Sequence, residues 1–288
     1  MPTLHPTAVV EAGATLAEGV VVGPMCHVGP KVTLGPGTEL VGHVSIAGRT
    51  TLGTGNKVYP HAALGHPPQD LKHRGEDTTL VIGDHNVIRE GVTIHLGTAN
   101  DRGETLLGDH NLVMAGAHVG HDAVIGSHVI LANTVQLAGH VAIEDYAALG
   151  GATAVHHFVT LGQHAYVGGM TRVVADVPPF MFVEGHPARV RGINQVGLRR
   201  RGFSRADEAA IRDAWRRLFK PIHDEGRPSH TKREAEGLRR DYPDSWPVRV
   251  IVDAVLRSGE GVYGRRRELT RRDSRYADPA GSGTPPRE

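Results

Sequence analysis

The sequence predicts a mainly β protein, a parallel β-helix wound from hexapeptide repeats and followed by a small α-helical C-terminal domain. Three observations predict it. An apolar residue returns at every sixth position in two long runs, and the residue after it is usually small, most often glycine. Aromatic residues make up only 5% of the chain, which suits a narrow prism filled by Val, Ile and Leu. Past the repeats the spacing changes to that of amphipathic helices with N-cap signals.

The first run is Leu4, Val10, Leu16, Val22, Val28, Leu34, Leu40, Ile46, Leu52, Val58 and Leu64, resuming in phase at Ile82, Ile88 and Ile94. The second, one residue out of phase, starts at Leu107 and continues through Val113, Val119, Ile125, Leu131, Leu137, Ile143, Leu149, Val155, Leu161 and Val167 to Val173. A period of six is neither the 3.6 of a helix nor the 2 of a half-buried strand. Three hexads make one triangular coil, left-handed in solenoids of this type, so residues eighteen apart stack at about 4.8 Å.

The β-helix is assigned to residues 1–183, with loops at 66–80 and 95–106 where the repeat lapses. In the first, Asp70 and Glu76 replace apolar positions. The solenoid proper stops near Val174, before Pro178 and Pro179. Residues 184–202 read as an irregular linker, and 184–263 form the linker and helical domain. There Ser204 with Asp207, and Thr231 with Glu234, read as capping boxes. Ile211, Trp215, Leu218 and Phe219 make one apolar stripe; Val248, Ile251, Val252, Val255 and Leu256 make another. Residues 264–288, rich in Arg and then in Gly, Pro and Ser, read as a disordered basic tail.

Composition excludes several classes. The formal net charge of the 288 residues is +1, so there is no global field for an acidic or basic partner. No apolar run reaches the length of a membrane span, so no membrane insertion is expected. The single cysteine, Cys26, sits at an inward small position as core filler, which excludes an intrachain disulfide and fits a cytoplasmic protein. A lone prism exposes flat faces and open coil ends, which predicts a homotrimer with sites at the subunit interfaces.

The coil rule gathers scattered histidines. His121, Gly139 and His157 fall in one column, with Asp122, His140 and Phe158 on one side, and Gly120, Ala138 and His156 on the other. His118 precedes Val119 on the same coil. Three readings stay open: a polar ladder without chemistry, a metal site, and acid–base catalysis with an imidazole base and an amide oxyanion donor. A basic stretch from Arg189 to Lys220 reads either as a solvated face or as a dock for an acidic partner. Nucleic acid is not expected, because aromatic interleaving is absent.

The segments HPTAVVEAGA, QDLKHRGE, IHLGT, HVGHDAVIG, ILAN, LAGHV, GGATAVHHF, VGG, DVPPF and GINQVGLRRRGF resemble, in order over roughly residues 5–260, the acyl-[acyl-carrier-protein]–UDP-N-acetylglucosamine O-acyltransferases of lipid A biosynthesis. The resemblance implies transfer of a 3-hydroxyacyl chain from acyl carrier protein to the sugar 3-hydroxyl, with no cofactor and no metal. It implies His121 as general base, Asp122 as its partner and the Gly139 amide as oxyanion donor. By the same resemblance, Asp70 and Lys72, with Gln69 nearby, reach across the interface to the glucosamine and pantetheine region. His118, His140 and His156 position sugar, diphosphate or thioester. Asn194, Arg200 and Arg201 hold the nucleotide, and Gly169 matches the position that limits chain length. Two residues depart from the pattern: His157, where glutamine is common and which adjoins the acyl or sugar end, and Val196, where the family often has an acidic residue. The tail after Gly264 is outside the resemblance. The alternatives are another hexapeptide sugar O- or N-acyltransferase using acyl carrier protein or CoA, a hydratase like the γ-class carbonic anhydrases, or a non-catalytic scaffold. His61 and His66 have the histidine spacing of the hydratase but lie far from the column.

Overall fold

A computed structural model describes residues 1–220 and 228–271. The chain winds as a left-handed parallel β-helix, the fold class read from its repeats. Its mostly two-residue strands stack into three sheets, of eleven, nine and eight strands. Within the solenoid every pairing is parallel, typically between residues eighteen apart, as in His118 with Gln136 and Gln136 with Ala154. The hexad residues point inward: Val28, Leu34, Leu40, Ile46, Leu64, Ile88, Ile94, Leu131 and Leu161 are fully buried. Each such side chain contributes about 1.5–3 kcal/mol of burial. Leu4, on the first coil, has no coil beneath it and stays half exposed. Cys26 is buried and unpaired among these residues.

Between sheets the chain turns through a residue with positive φ, and many of these are not glycine. At one corner His85, His110, His128, Tyr146, His164 and Phe180 all adopt it. That conformation costs about 1–2 kcal/mol for an L-residue. Two interactions offset it. Each backbone N–H donates to the coil before it, as from His128 to Asp109 O at 2.8 Å and from Tyr146 to Ser127 O at 2.9 Å. The rings also stack face to face, with centroids 5.1, 5.0, 4.6, 4.8 and 5.5 Å apart up the ladder. Much of the histidine content is therefore corner masonry.

Both loops leave from a second corner, between the nine- and eight-stranded sheets. They run from the strand Ala63–His66 to Thr79–Ile82, and from Thr93–His95 to Glu104–Leu107. The chain returns in register after each, Lys57 pairing with Val87 and Val87 with Leu112.

The helical region departs from the sequence reading in three places. Residues 184–202 are not irregular. The strand Met181–Glu184 continues the eleven-stranded sheet beside Tyr166 and Val167, then pairs antiparallel with Arg189–Ile193. Helix α1 (Gln195–Arg200) follows. Ser204 and Asp207 do form a reciprocal capping box at the start of α2 (Arg205–Phe219). Thr231, by contrast, lies inside α3 (Pro228–Asp241), because Pro228 is already at its first position. Helix α4 (Trp246–Gly259) buries Val248, Ile251 and Val252 against Ile211 and Leu238. The third departure is the tail. Residues 264–271 are ordered, with a 3-10 helix at Arg266–Thr270, because hydrogen bonds tie them to the last coil. Residues 272–288, the rest of the expected tail, lie outside the described residues. No helix among the described residues is long and apolar enough to cross a membrane.

Candidate active site

His121 and Asp122 occupy the turn at the loop-bearing corner, directly after the inward Val119. Asp122 takes the positive-φ position and is fully buried. Its carboxylate is almost enclosed by donors: Oδ1 accepts from the Thr98 N–H at 2.9 Å, and Oδ2 from the Thr98 hydroxyl at 2.6 Å. Oδ2 also meets His121 Nδ1 at 2.8 Å, and the Asp122 N–H donates to the Thr105 hydroxyl at 2.9 Å. Burial pushes the Asp122 carboxyl up, but the bonds from His121 and Thr98 outweigh it and hold it below the usual carboxylate range. An ionised Asp122 keeps the His121 proton on Nδ1 and leaves Nε2 as the basic nitrogen.

That ring lies directly against Gly139, one coil on. A Cβ at Gly139 would come within 2.5 Å of His121 Cε1 and 2.6 Å of Nε2. Gly139 is buried beneath the imidazole, and among the described residues its N–H makes no hydrogen bond. His140, buried at the same turn, stands edge-on to His121 at 5.0 Å between ring centroids and stacks on Phe158 at 4.3 Å. Its Nδ1 meets Asp101 Oδ2 at 2.7 Å. Burial lowers the His140 pKa against the opposing pull of Asp101 and Asp122. His118 Nδ1 meets the Thr93 hydroxyl at 2.7 Å, and burial and the neighbouring His121 depress its pKa too. Two coils above His118, His156 Nδ1 lies 3.1 Å from the His157 carbonyl. Burial lowers His157 to about 4.

The first loop folds back toward this corner. Asp70 pairs with Lys72 through the backbone N–H at 3.0 Å and through Nζ at 3.5 Å. Burial raises the Asp70 carboxyl, but Lys72 and the charge of His121 on the same chain bring it below its ordinary value. Asp70 is thus within electrostatic reach of its own chain's His121. Gln69 is exposed on the same loop.

Other residues singled out by the sequence lie elsewhere. Asn194, Val196, Arg200 and Arg201 line a cleft of about 810 Å³ along the ring-ladder corner and the eleven-stranded sheet. Asn194 caps α1, accepting from Gly197 N at 3.0 Å, and donates to His164 O at 2.8 Å. The Arg201 guanidinium sits 4.5 Å over the Tyr146 ring. Gly169 belongs to the third corner, against Gly151.

Several residues at the histidine corner escaped sequence reasoning. Thr98 and Asp101 lie in the second loop, which the broken repeat marked without saying which of its residues turn inward. His95 opens that loop. It is buried, its ring is edge-on to His118 at 5.2 Å, and burial lowers its pKa to about 4. Ligand atoms of His121, Asp122 and His140 lie within 4.8 Å of one another, a spacing that a cation could share. The hydrogen bonds from Thr98 and His121 already account for Asp122, and His61 and His66 are not in this group.

A family model described as Udp N-acetylglucosamine O-acyltransferase, Domain 2, matches residues 176–263, and one described as bacterial transferase hexapeptide (six repeats) matches 104–139. A Rhizobium johnstonii relative named acyl-[acyl-carrier-protein]–UDP-N-acetylglucosamine O-acyltransferase is 45% identical over 252 residues, covering 88% of this chain and 90% of its own length. A Pseudomonas entomophila protein of the same name is 46% identical over 263 residues, covering 91% and 99%. The solved structure of LpxA from Acinetobacter baumannii superposes with a TM-score of 0.81 at 36% identity, over 87% of this chain and 95% of that one.

Proposed function

The chain belongs to the acyl-[acyl-carrier-protein]–UDP-N-acetylglucosamine O-acyltransferase family, and from that premise we propose how its residues carry the reaction. It is an acyltransferase of lipid A biosynthesis that moves an acyl group from acyl carrier protein to UDP-N-acetylglucosamine. The acyl group is a 3-hydroxyacyl chain and the acceptor is the sugar 3-hydroxyl. His121 Nε2 takes the hydroxyl proton as that oxygen attacks the thioester carbon. The Gly139 N–H stabilises the oxyanion, the C–S bond breaks, and the proton passes from His121 to the departing pantetheine thiolate. Asp122 stabilises the imidazolium formed on the way, in the manner of a catalytic triad.

One observation carries this reading: a buried, ionised Asp122, locked by Thr98, bonds the Nδ1 of an imidazole whose other edge faces a glycine. Asp70, Lys72, Gln69, His118, His140, His156 and His157 border the same corner and are assigned to the sugar and thioester. Asn194, Arg200 and Arg201 are assigned to the nucleotide diphosphate, which guanidinium groups suit. Gly169 is assigned to the chain terminus.

These groups occupy different corners of one prism, and face-to-face packing of three chains would bring different corners together. Val21, Ile130 and Tyr166 are exposed on the outer side of the eleven-stranded sheet, which supports a homotrimer with shared sites. The enzyme is assigned to the cytoplasm.

The test is incubation with 3-hydroxyacyl carrier proteins and UDP-N-acetylglucosamine, following the ester product. His121→Ala should lose nearly all turnover with its assembly unchanged in light scattering. Full activity in that variant rejects His121 as base.

A further inference from the structure

The segment after Gly264 lies past residue 263, where the family match ends, yet it is fastened to the histidine corner. Asp176, the next residue up that corner's column, donates its N–H to Gly264 O at 2.8 Å. Its carboxylate accepts from the Arg266 N–H at 2.9 Å and the Thr160 N–H at 2.7 Å. Arg265, only 7% exposed, donates to Val174 O at 2.7 Å and pairs with Glu268. These bonds hold a single turn of helix along the edge of the last coils.

From that turn Arg267 reaches down the corner and donates through Nη1 to the His140 carbonyl. The N–H of the same His140 donates to His121 O at 2.9 Å. Arg267 thus closes a backbone chain of His121, His140 and the C-terminal segment. Two carboxylates flank the His140 ring, Asp101 at 2.7 Å and Asp122 at 4.0 Å. Arg267 interacts with both, and also with Asp176 and Arg102. Arg271 lies 5.6 Å from the Phe158 ring that stacks on His140.

We propose that Arg267 is a positioning residue of the acyl-transfer site, fixing the His140 turn and offsetting the Asp101–Asp122 pair around it. The inference rests on the function proposed above. Among the described residues, the charged and titratable groups facing His140 are Asp101 from the second loop, His121 and Asp122 below, His157 above, and Arg267, with Arg102 acting on Arg267. Removing Arg267, the cation that among the described residues bonds the His140 carbonyl, leaves two carboxylates that favour the protonated form of the ring.

Full-length Arg267→Ala and Arg267→Lys test this. Transfer kinetics are read alongside histidine C2 hydrogen–deuterium exchange by mass spectrometry, which gives the pKa of each imidazole without any turnover. In Arg267→Ala, kcat should fall about tenfold with KM for the sugar nucleotide within about threefold. The acid limb of the rate profile and the His140 titration should both move up by about half a unit or more, with His61 unchanged. Lys should restore most of each. A His140 titration and kcat equal to wild type overturn the proposal. So does a loss of kcat that follows a fallen melting temperature with His140 unmoved. If wild-type enzyme transfers nothing, the proposed function fails, while the His140 titration still decides the role of Arg267.

Discussion

The imidazole of His121 rests on the bare Cα of Gly139, eighteen residues away in sequence and one coil away in space. The contact couples the nitrogen proposed as base to the peptide assigned to the oxyanion, so a single methyl group tests the pairing. Gly139→Ala would place Cβ within 2.5 Å of the ring and turn it aside. Displacement of a catalytic group by about 1 Å costs about a hundredfold. Steady-state turnover should fall by that order with circular dichroism unchanged; an active, well-folded variant would separate Gly139 from the chemistry.

Asp122→Asn keeps the shape of the side chain but removes its charge. His121 then loses the partner that holds its proton on Nδ1. In the serine protease triad this change costs about 10⁴ in kcat, and a loss of about 10³ or more is expected here. If Asp122 serves packing alone, kcat will stay within about tenfold of wild type.

Arg201 over Tyr146 forms one wall of the 810 Å³ cleft. Removing it as Arg201→Ala should raise KM for the sugar nucleotide by about tenfold, in line with a cation–π and phosphate contact of about 1–2 kcal/mol, and leave kcat at saturation near wild type. A fall in kcat with constant KM would move Arg201 out of ground-state binding.

Acid should loosen the prism. His95 and His164 are each 7% exposed, and burial lowers both to about 4. In the unfolded chain they titrate near 6.5, so as pH falls the unfolded state takes up the proton first. Their contribution is complete above pH 6.5 and is lost between 6.5 and 4, by at most about 1.4 kcal/mol per pH unit for each histidine. Calorimetric melting temperatures should drop across that window. His164→Phe, which continues the stack between Tyr146 and Phe180, should flatten the slope; an equally steep curve in that variant assigns the acid lability to other groups.

The repeat makes the inward Val, Leu and Ile columns legible, and its three-hexad coil puts His121, Gly139 and His157 on one edge by counting alone. Three things stayed hidden, each for a physical reason. The loops stretch the pairing from eighteen residues to thirty and twenty-five, as in Ala63 with Thr93 and Thr93 with His118, so His95 could not be assigned to the column by counting. Asp101 joins His140 across thirty-nine residues, and Arg267 across one hundred and twenty-seven; no periodicity records such contacts. Nor does hydrophobic spacing report φ. The positive-φ corners that hold His128, Tyr146 and His164 became visible only with the backbone.

Those corners constrain how such a chain can change length. Each turn residue is bonded to the coil before it and stacked on rings of its neighbours, so one added residue inside a coil would rotate all that follows off its edge. Both excursions leave and return at a single corner, next to His121 and Asp122. Growth or loss of sequence is therefore tolerable at the place where it remodels the proposed substrate site and almost nowhere else along the prism. In this architecture, variation in length and variation in specificity are the same event.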